Sequence, residues 1–355
     1  MTREQLWPLV RTLWRLRRQL PTFVSFNVTN RCSERCPMCA VWRGDAEELS
    51  LAEMEPILRE LHRFGLTVLE VSGGEPFLRD DIFEVFSLLE RIGFLYSVTT
   101  NGTVFPDNLS ERLCGLRRIL QLAVSLDSLD RETYARLRGN DLLPAVLDNI
   151  SRLAVADLPM PRKLNVAVSR LNYREIPALL NYAKGLGFYL SVFPVAVGEG
   201  FAHRNADPLF QACEAEALEM AALFRELARL RRSGEPLWEY SGFYELAADF
   251  VLGRPLPDCA AGRLFVDIHS DGTLAACVDQ VAFADLRRES IYQAWSRLAQ
   301  QKEGIRSCTH LTPCCYTCTY NVALTARNLP RFLLETVFMM LKMRFKPTRN
   351  AQIRV

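Results

Sequence analysis

Thr22-Phe-Val-Ser-Phe-Asn-Val-Thr29 runs straight into Asn30-Arg31-Cys32-Ser-Glu-Arg-Cys36-Pro-Met-Cys39. The first part is rich in β-branched and aromatic residues and reads as a strand. The second sets three cysteines in the spacing C-x-x-x-C-x-x-C on the loop that leaves that strand. Three thiolates on so short a loop can hold three corners of a cubane iron–sulfur cluster, leaving the fourth iron without a protein ligand. An open iron is a place for chemistry as well as for electron storage. A zinc site is the structural alternative for the same residues.

Working outward from this loop, strand-like and helical runs alternate from residue 22 to 194. Strands are expected near 23–28, 67–72, 94–99, 119–126, 163–169 and 188–194. Ser50-Leu-Ala-Glu53 is a capping box that opens the first intervening helix. Asp81–Arg91, Leu142–Val155 and Glu175–Lys184 follow as further helices, two of them stopped by glycine. Six β–α repeats imply a parallel sheet, because each return to the same edge needs a crossover. The expected architecture is α/β, a partial (β/α)6 TIM-like barrel with its site at the C-terminal ends of the strands.

Three further segments stand at successive strand ends. Val71-Ser72-Gly73-Gly74-Glu75-Pro76 offers two glycines for close backbone approach and a carboxylate that can accept from an ammonium. Thr99-Thr100-Asn101-Gly102-Thr103 ends the third strand, and Val124-Ser125-Leu126-Asp127-Ser128 the fourth. Alternation puts Ser125 and Asp127 on one side. Each segment alone reads equally as a turn or cap. In order behind the cysteine loop, they resemble the radical S-adenosylmethionine (radical SAM) superfamily. The resemblance implies a four-iron cluster on Cys32, Cys36 and Cys39, with S-adenosylmethionine chelated at the open iron. It further implies cofactor contacts from Met38, Gly73, Gly74 and Glu75, the last two segments adding Asn101, Ser125 and Asp127. Asn165 and the Phe193-Pro194 stretch fall where adenine contacts are expected, and Glu199, His203 and Arg204 follow the last strand.

Residues 256–320 hold six of the eleven cysteines, with Asp271-Gly272 as a hairpin turn. Cys259, Gly262, Cys277 and the later Cys315-x-x-Cys318 resemble the auxiliary-cluster modules called SPASM and Twitch. That resemblance implies one auxiliary [4Fe–4S] cluster on Cys259, Cys277, Cys315 and Cys318, with Cys314 an alternative to Cys315. The same spacings permit four-thiolate zinc. Cys114 and Cys213 are expected to be buried or inert on helices, and the four histidines show no ligand-like pairing.

The domain reading is thus a basic amphipathic helix at 1–20, the barrel at 21–207, a helical linker at 208–255, the cysteine-rich module at 256–320 and a basic amphipathic helix at 321–355. The net charge of +2 hides an uneven distribution, with about +4 on residues 1–20, about +6 on 327–355 and a middle near −8. Leu6, Val10, Leu13, Trp14 and Leu20 recur at helical spacing in the first segment, and Leu329, Phe332, Leu333, Val337, Phe338, Leu341 and Phe345 in the last. These ends read as ordinary packing helices or as interfacial helices on anionic lipid.

No secretory signal is visible, the cysteine number is odd, and no apolar run is long enough to span a bilayer. The expected protein is cytoplasmic, with peripheral contact at an anionic membrane as the sharper alternative. The resemblance implies a radical SAM enzyme of oxidoreductase or maturase type that abstracts hydrogen from an unactivated carbon. An external one-electron reductant such as flavodoxin or ferredoxin is its implied partner, and no nucleic acid is expected. A peptide-maturing enzyme, a lipid-modifying enzyme and a non-catalytic zinc or iron–sulfur protein are the alternatives.

Overall fold

The computed structural model describes residues 3–45, 47–195, 212–300 and 314–344. Six parallel strands form the core sheet: β1 (Phe23–Asn27), β2 (Val68–Ser72), β3 (Leu95–Thr100), β4 (Ile119–Ser125), β5 (Arg162–Val168) and β6 (Tyr189–Pro194). Helices α2 (Leu51–Phe64), α3 (Ile82–Ile92), α4 (Leu109–Cys114), α5 (Arg131–Arg138), α6 (Leu143–Val155) and α7 (Ile176–Leu186) make the crossovers. The capping box at Ser50 is present as expected, with both reciprocal bonds formed. The open sheet of the expected partial barrel is therefore the observed one.

The strands are apolar on the outside and polar on the inside. Val24, Phe26, Leu69, Val71, Val98, Leu122, Val124, Leu164, Val166, Leu190 and Val192 are buried in the core. Their period-two neighbours Ser25, Glu70, Ser72, Ser97, Thr99, Gln121, Lys163 and Asn165 line a lumen. A sheet packed with polar residues on its concave face is built to hold a ligand there.

The C-terminal module continues this sheet. Strand β7 (Phe265–Ile268) pairs parallel to β1, and the short β8 (Thr273–Ala275) and β9 (Ala284–Asp285) follow antiparallel. The sheet order is β6-β5-β4-β3-β2-β1-β7-β8-β9. The segment expected as a helical linker holds an antiparallel pair, α8 (Glu214–Arg232) and α9 (Ser241–Val251), which packs against β6. Between them Pro236–Trp238 bonds to Leu190 along the free edge of β6. Helix α10 (Ile291–Gln300) packs on α2.

The terminal helices are α1 (Arg3–Arg17), α11 (Val322–Arg327) and α12 (Leu329–Arg344). Helix α1 lies across the N-terminal ends of the strands. Gln5 donates to the Ile119 carbonyl, Thr12 meets Thr67, and Arg15 donates to the Pro21 carbonyl at 2.7 Å. Leu9, Leu13 and Leu16 face the barrel floor, whereas Leu6, Trp7, Val10 and Trp14 are exposed. Part of the stripe read from the sequence is thus the outward one. Helix α12 behaves alike. Phe332, Glu335 and Met339 face inward, and Leu333, Leu334, Val337, Phe338, Met340 and Leu341 face out. Periodicity reveals an apolar stripe without saying what covers it.

Candidate active site

Cys32, Cys36 and Cys39 line a cleft of about 230 Å³ at the C-terminal ends of the strands. Met38, Gly73, Gly74, Asn101, Ser125, Asp127, Asn165 and Phe193 share that lining. Burial pushes the Cys32 thiol up to about 11, and the thiols of Cys36 and Cys39 rise as well. Bound metal takes such groups as thiolates and releases their protons. Asn101 Nδ2 donates to Cys32 Sγ at 3.5 Å, the kind of contact that tunes a ligating sulfur. The donor set and its surroundings fit a cluster bound through sulfur.

The glycine pair has a steric cause. The Gly74 amide donates to the Thr29 carbonyl and the Glu75 amide to the Arg31 carbonyl, each at 2.7 Å. A Cβ on Gly74 would lie 2.1 Å from the Arg31 carbonyl oxygen, and one on Gly73 2.4 Å from that of Thr29. Only glycine lets the β2 turn lie against the cysteine loop. Glu75 is the one expected cofactor contact absent from the cleft lining. Its carboxylate is fully buried behind the cleft and accepts from the Phe77 amide at 3.0 Å, Thr100 Oγ1 at 2.8 Å and the Asn101 amide at 2.7 Å. In this arrangement it braces the turn and Asn101.

Sequence reasoning missed the groups that anchor the cysteine loop. Arg138, at the end of α5, is paired with Asp127 at 2.7 Å and with Glu34 at 3.2 Å. Tyr134 donates to Glu34 at 2.5 Å, and the Arg35 amide donates to the Arg138 carbonyl. Arg138 also lines the cleft. Its partner lies 104 residues away in the chain, so no local pattern announces the pair.

Below the cleft, a lumen of about 400 Å³ shares Ser72, Thr99, Asn165 and Phe193 with it. Glu70, Lys163 and Glu239 are the charged residues of its lining among the described residues. Glu70 accepts from Thr99, and Glu239 accepts from Ser191 at 2.6 Å and from Tyr244 at 3.1 Å. Burial holds the Lys163 amine below its ordinary range, and its Nζ lies 5.2 Å from the Trp238 ring.

Residues 26–183 match the family described as the radical SAM superfamily. The matched segment carries the cysteine loop and the three strand-end segments that follow it. A probable GTP 3′,8-cyclase of Methanothermobacter marburgensis is 36% identical over 172 residues, 47% of this chain and 55% of the relative, so that the chain spans about half of that protein. A probable GTP 3′,8-cyclase of Methanothermobacter thermautotrophicus is 28% identical over 287 residues, 78% of this chain and 88% of the relative. Among solved structures, Streptococcus suis SuiB bound to S-adenosylmethionine superposes with a TM-score of 0.61 at 18% identity, covering 78% of this chain and 66% of that one. That likeness shows the fold.

A [4Fe–4S] cluster and S-adenosylmethionine are the cofactors that this resemblance gives the site. In the C-terminal module burial raises the thiols of Cys277, Cys315 and Cys318; Cys314 adds to the rise at all three, and Cys318 adds to that at Cys277. Cys315 is buried in the apolar core, whereas Cys314 is half-buried at its margin. Cys259 precedes the Gly262 amide that donates to the Ala276 carbonyl next to Cys277. Cys318 lines the lumen, and the Asp279 amide donates to Cys277 Sγ. Among the described residues no three ligating side chains converge as on a lone metal ion.

Cys114 and Cys213 are exposed, not buried: the first ends α4 and the second precedes α8. His269 is buried beside Asp267 at 3.4 Å. Glu199, His203, Arg204, Cys308 and His310 lie outside the described residues.

Replacing Arg138 by Ala leaves two buried carboxylates without their cation. We expect about 3–5 kcal/mol of lost stability, read from urea denaturation, together with poor cluster retention. Burial pushes the Glu75 carboxyl up to about 7. A native pKa above the unfolded value of about 4.3 means that the folded state holds the extra proton between the two. In cluster-free protein this contribution to stability is complete near pH 4 and is lost as pH rises through 7. Glu75→Gln should abolish that slope in a urea-midpoint series. It should also cost about 1–3 kcal/mol by opposing an amide NH2 to a former donor.

Proposed function

We propose that Cys32, Cys36 and Cys39 hold the catalytic cluster and that the lumen holds the substrate. The supporting observation is the shared wall between the cysteine cleft and the polar lumen, with Cys318 on the lumen's far side. When bound, the cluster and S-adenosylmethionine supply a 5′-deoxyadenosyl radical that removes hydrogen from an unactivated carbon. The chain's own residues do the positioning. Gly73 and Gly74 present backbone to the cofactor, Asn101 orients the loop sulfur, and Ser125 offers a hydroxyl to the nucleoside. Asp127 has Arg138 as partner and is held rigidly at the cleft wall. The surrounding sheet and helices keep water from the reacting carbon.

Cys259, Cys277, Cys314 and Cys318 are the auxiliary-cluster ligands this geometry favours, in place of a set containing Cys315. Cys318 brings that cluster to the lumen, where it can accept an electron from a substrate radical or bind substrate. Arg31, Arg35 and Arg43 are exposed around the cysteine loop, suiting an acidic one-electron carrier such as flavodoxin or ferredoxin.

The curated relatives act on GTP by name, but the lumen suits a triphosphate poorly. Lys163 is its one cation among the described residues, against Glu70 and Glu239. A nucleoside triphosphate needs several cations. A substrate of low charge fits better.

No helix among the described residues is long and apolar enough to cross a membrane. The exposed faces of α1 and α12 support peripheral contact instead. Trp7 is 76% and Leu334 73% exposed, and Arg11, Arg17 and Arg18 are exposed beside the tryptophans. Arg18 lies 4.9 Å from the Trp14 ring. Aromatic side chains flanked by arginine are suited to an anionic headgroup layer.

We expect about eight irons per chain after anaerobic reconstitution. Replacing Cys32, Cys36 and Cys39 by Ala should leave about four irons and abolish 5′-deoxyadenosine formation under reduction. Cys314→Ala with Cys318→Ala should also leave about four, yet keep that formation. Zinc in place of iron would overturn the reading. In a separate sedimentation assay, the protein should pellet with phosphatidylglycerol vesicles, less so in high salt. Trp7→Ser with Leu334→Lys should weaken this roughly tenfold. Equal pelleting with neutral vesicles would show that charge has no part in it.

A further inference from the structure

The lumen does not end at its polar layer. Below it lies a second chamber of about 240 Å³. The two share Phe23, Val68, Leu120, Val322 and Trp238 in their linings, with Glu239 and Asn321 as the polar groups at the junction. The lower chamber is walled mainly by apolar side chains: Val68, Leu95 and Leu120 at the strand beginnings, Leu9, Leu13 and Leu16 on α1, and Phe332 on α12. Protein interiors are close-packed, so an apolar space of this size beneath a ligand site calls for an occupant. Together the two chambers reach the size of a small-molecule site, about 300–1,000 Å³.

Polarity is ordered along this axis. The cysteine cleft is at one end. The middle layer carries hydroxyl and amide groups, and Gln121 Oε1 and Asn165 Oδ1 are buried there with no hydrogen-bond partner among the described residues. The far end is apolar, and its walls include the two helices whose outer faces are apolar and exposed.

We infer that the substrate is an amphiphile taken from the membrane surface. Its hydrocarbon chain occupies the lower chamber, and its uncharged, hydroxyl-bearing head lies in the polar lumen below the Cys32–Cys39 loop. The head donates to Gln121 Oε1 and Asn165 Oδ1. The near balance of Lys163 against two carboxylates leaves no site for a strongly anionic head. The exposed faces of α1 and α12 set the chamber walls against the bilayer, so that head and chain enter in the order in which the polarity runs. This inference rests on the proposed assignment of the lumen as the substrate site.

The test is calorimetric titration of the reconstituted enzyme with dodecyl maltoside below its critical micelle concentration, the same samples being assayed for iron. One saturable site per chain is expected, with maltose alone at least roughly 100-fold weaker. Leu120→Trp fills the chamber, and Leu13→Arg, on the half-buried face of α1, puts a charge on its wall should the first variant not fold. Each should weaken dodecyl maltoside roughly tenfold or more. Val155→Lys, on the exposed end of α6, should bind as the parent does. Absence of a saturable site, equal affinity for maltose, or unchanged affinity in both chamber variants overturns the inference. If iron stays near eight per chain in that case, the radical reading stands and only the amphiphile falls. If iron is lost with it, the underlying reading falls as well.

Discussion

The site depends on one buried ion cluster. Glu34 is in the cysteine loop, Asp127 follows β4, and Arg138 ends α5; all three are essentially out of water. Taking three charges out of solvent is expensive, and only mutual pairing with added hydrogen bonds offsets it. Tyr134 and the Ala167 amide supply those bonds, at 2.5 and 2.7 Å. The arrangement ties the loop between two cysteines to the strand end that carries Ser125. A cysteine loop free to wander would present its sulfurs at variable spacing. This one is fixed from below by charge and from the side by the Gly73–Gly74 turn, before any metal binds.

That rigidity was only partly legible in the chain. The four segments at successive strand ends could be read in order, because close backbone approach demands glycine and thiolate ligation demands cysteine at short spacing. The strands were legible because their period of two separates an apolar exterior from a polar lumen. Arg138 was not, since its meaning lies in partners distant in sequence. Glu75 reads as a ligand group, and the fold adds its bracing of Phe77, Thr100 and Asn101, because a motif names residue types without giving a side chain's partners. Cys314 and Cys315 are neighbours in sequence, and only the fold of the turn before Thr317–Asn321 decides which sulfur faces Cys277.

The C-terminal module shows the same limit on a larger scale. Composition marked it as a separate cysteine-rich unit, yet β7 joins the barrel sheet directly beside β1. Pairing across 240 residues leaves no local trace, but it has a consequence for the site. It brings Asp267 beside Asn27 and carries the turn with Cys318 to the lumen wall. A molecule in the lumen is therefore enclosed between two thiol-bearing segments, one from each end of the chain.

The terminal helices complete the enclosure from the opposite side. An open sheet leaves the strand beginnings uncovered, and α1 closes them with Arg15, Thr12 and Gln5 bonded at the starts of β1, β2 and β4. A helix serving only as a plug would turn its apolar residues inward and leave a charged face to solvent. Here Leu9, Leu13 and Leu16 satisfy the floor while Leu6, Trp7, Val10 and Trp14 remain outside, and α12 repeats the pattern. Two helices that each spend apolar side chains on both faces carry more hydrophobic surface than packing requires. Large exposed apolar patches rimmed by charge mark surfaces that meet another phase or another molecule. The same two helices wall the apolar end of the lumen, so the outward face and the inner chamber are most economically explained together.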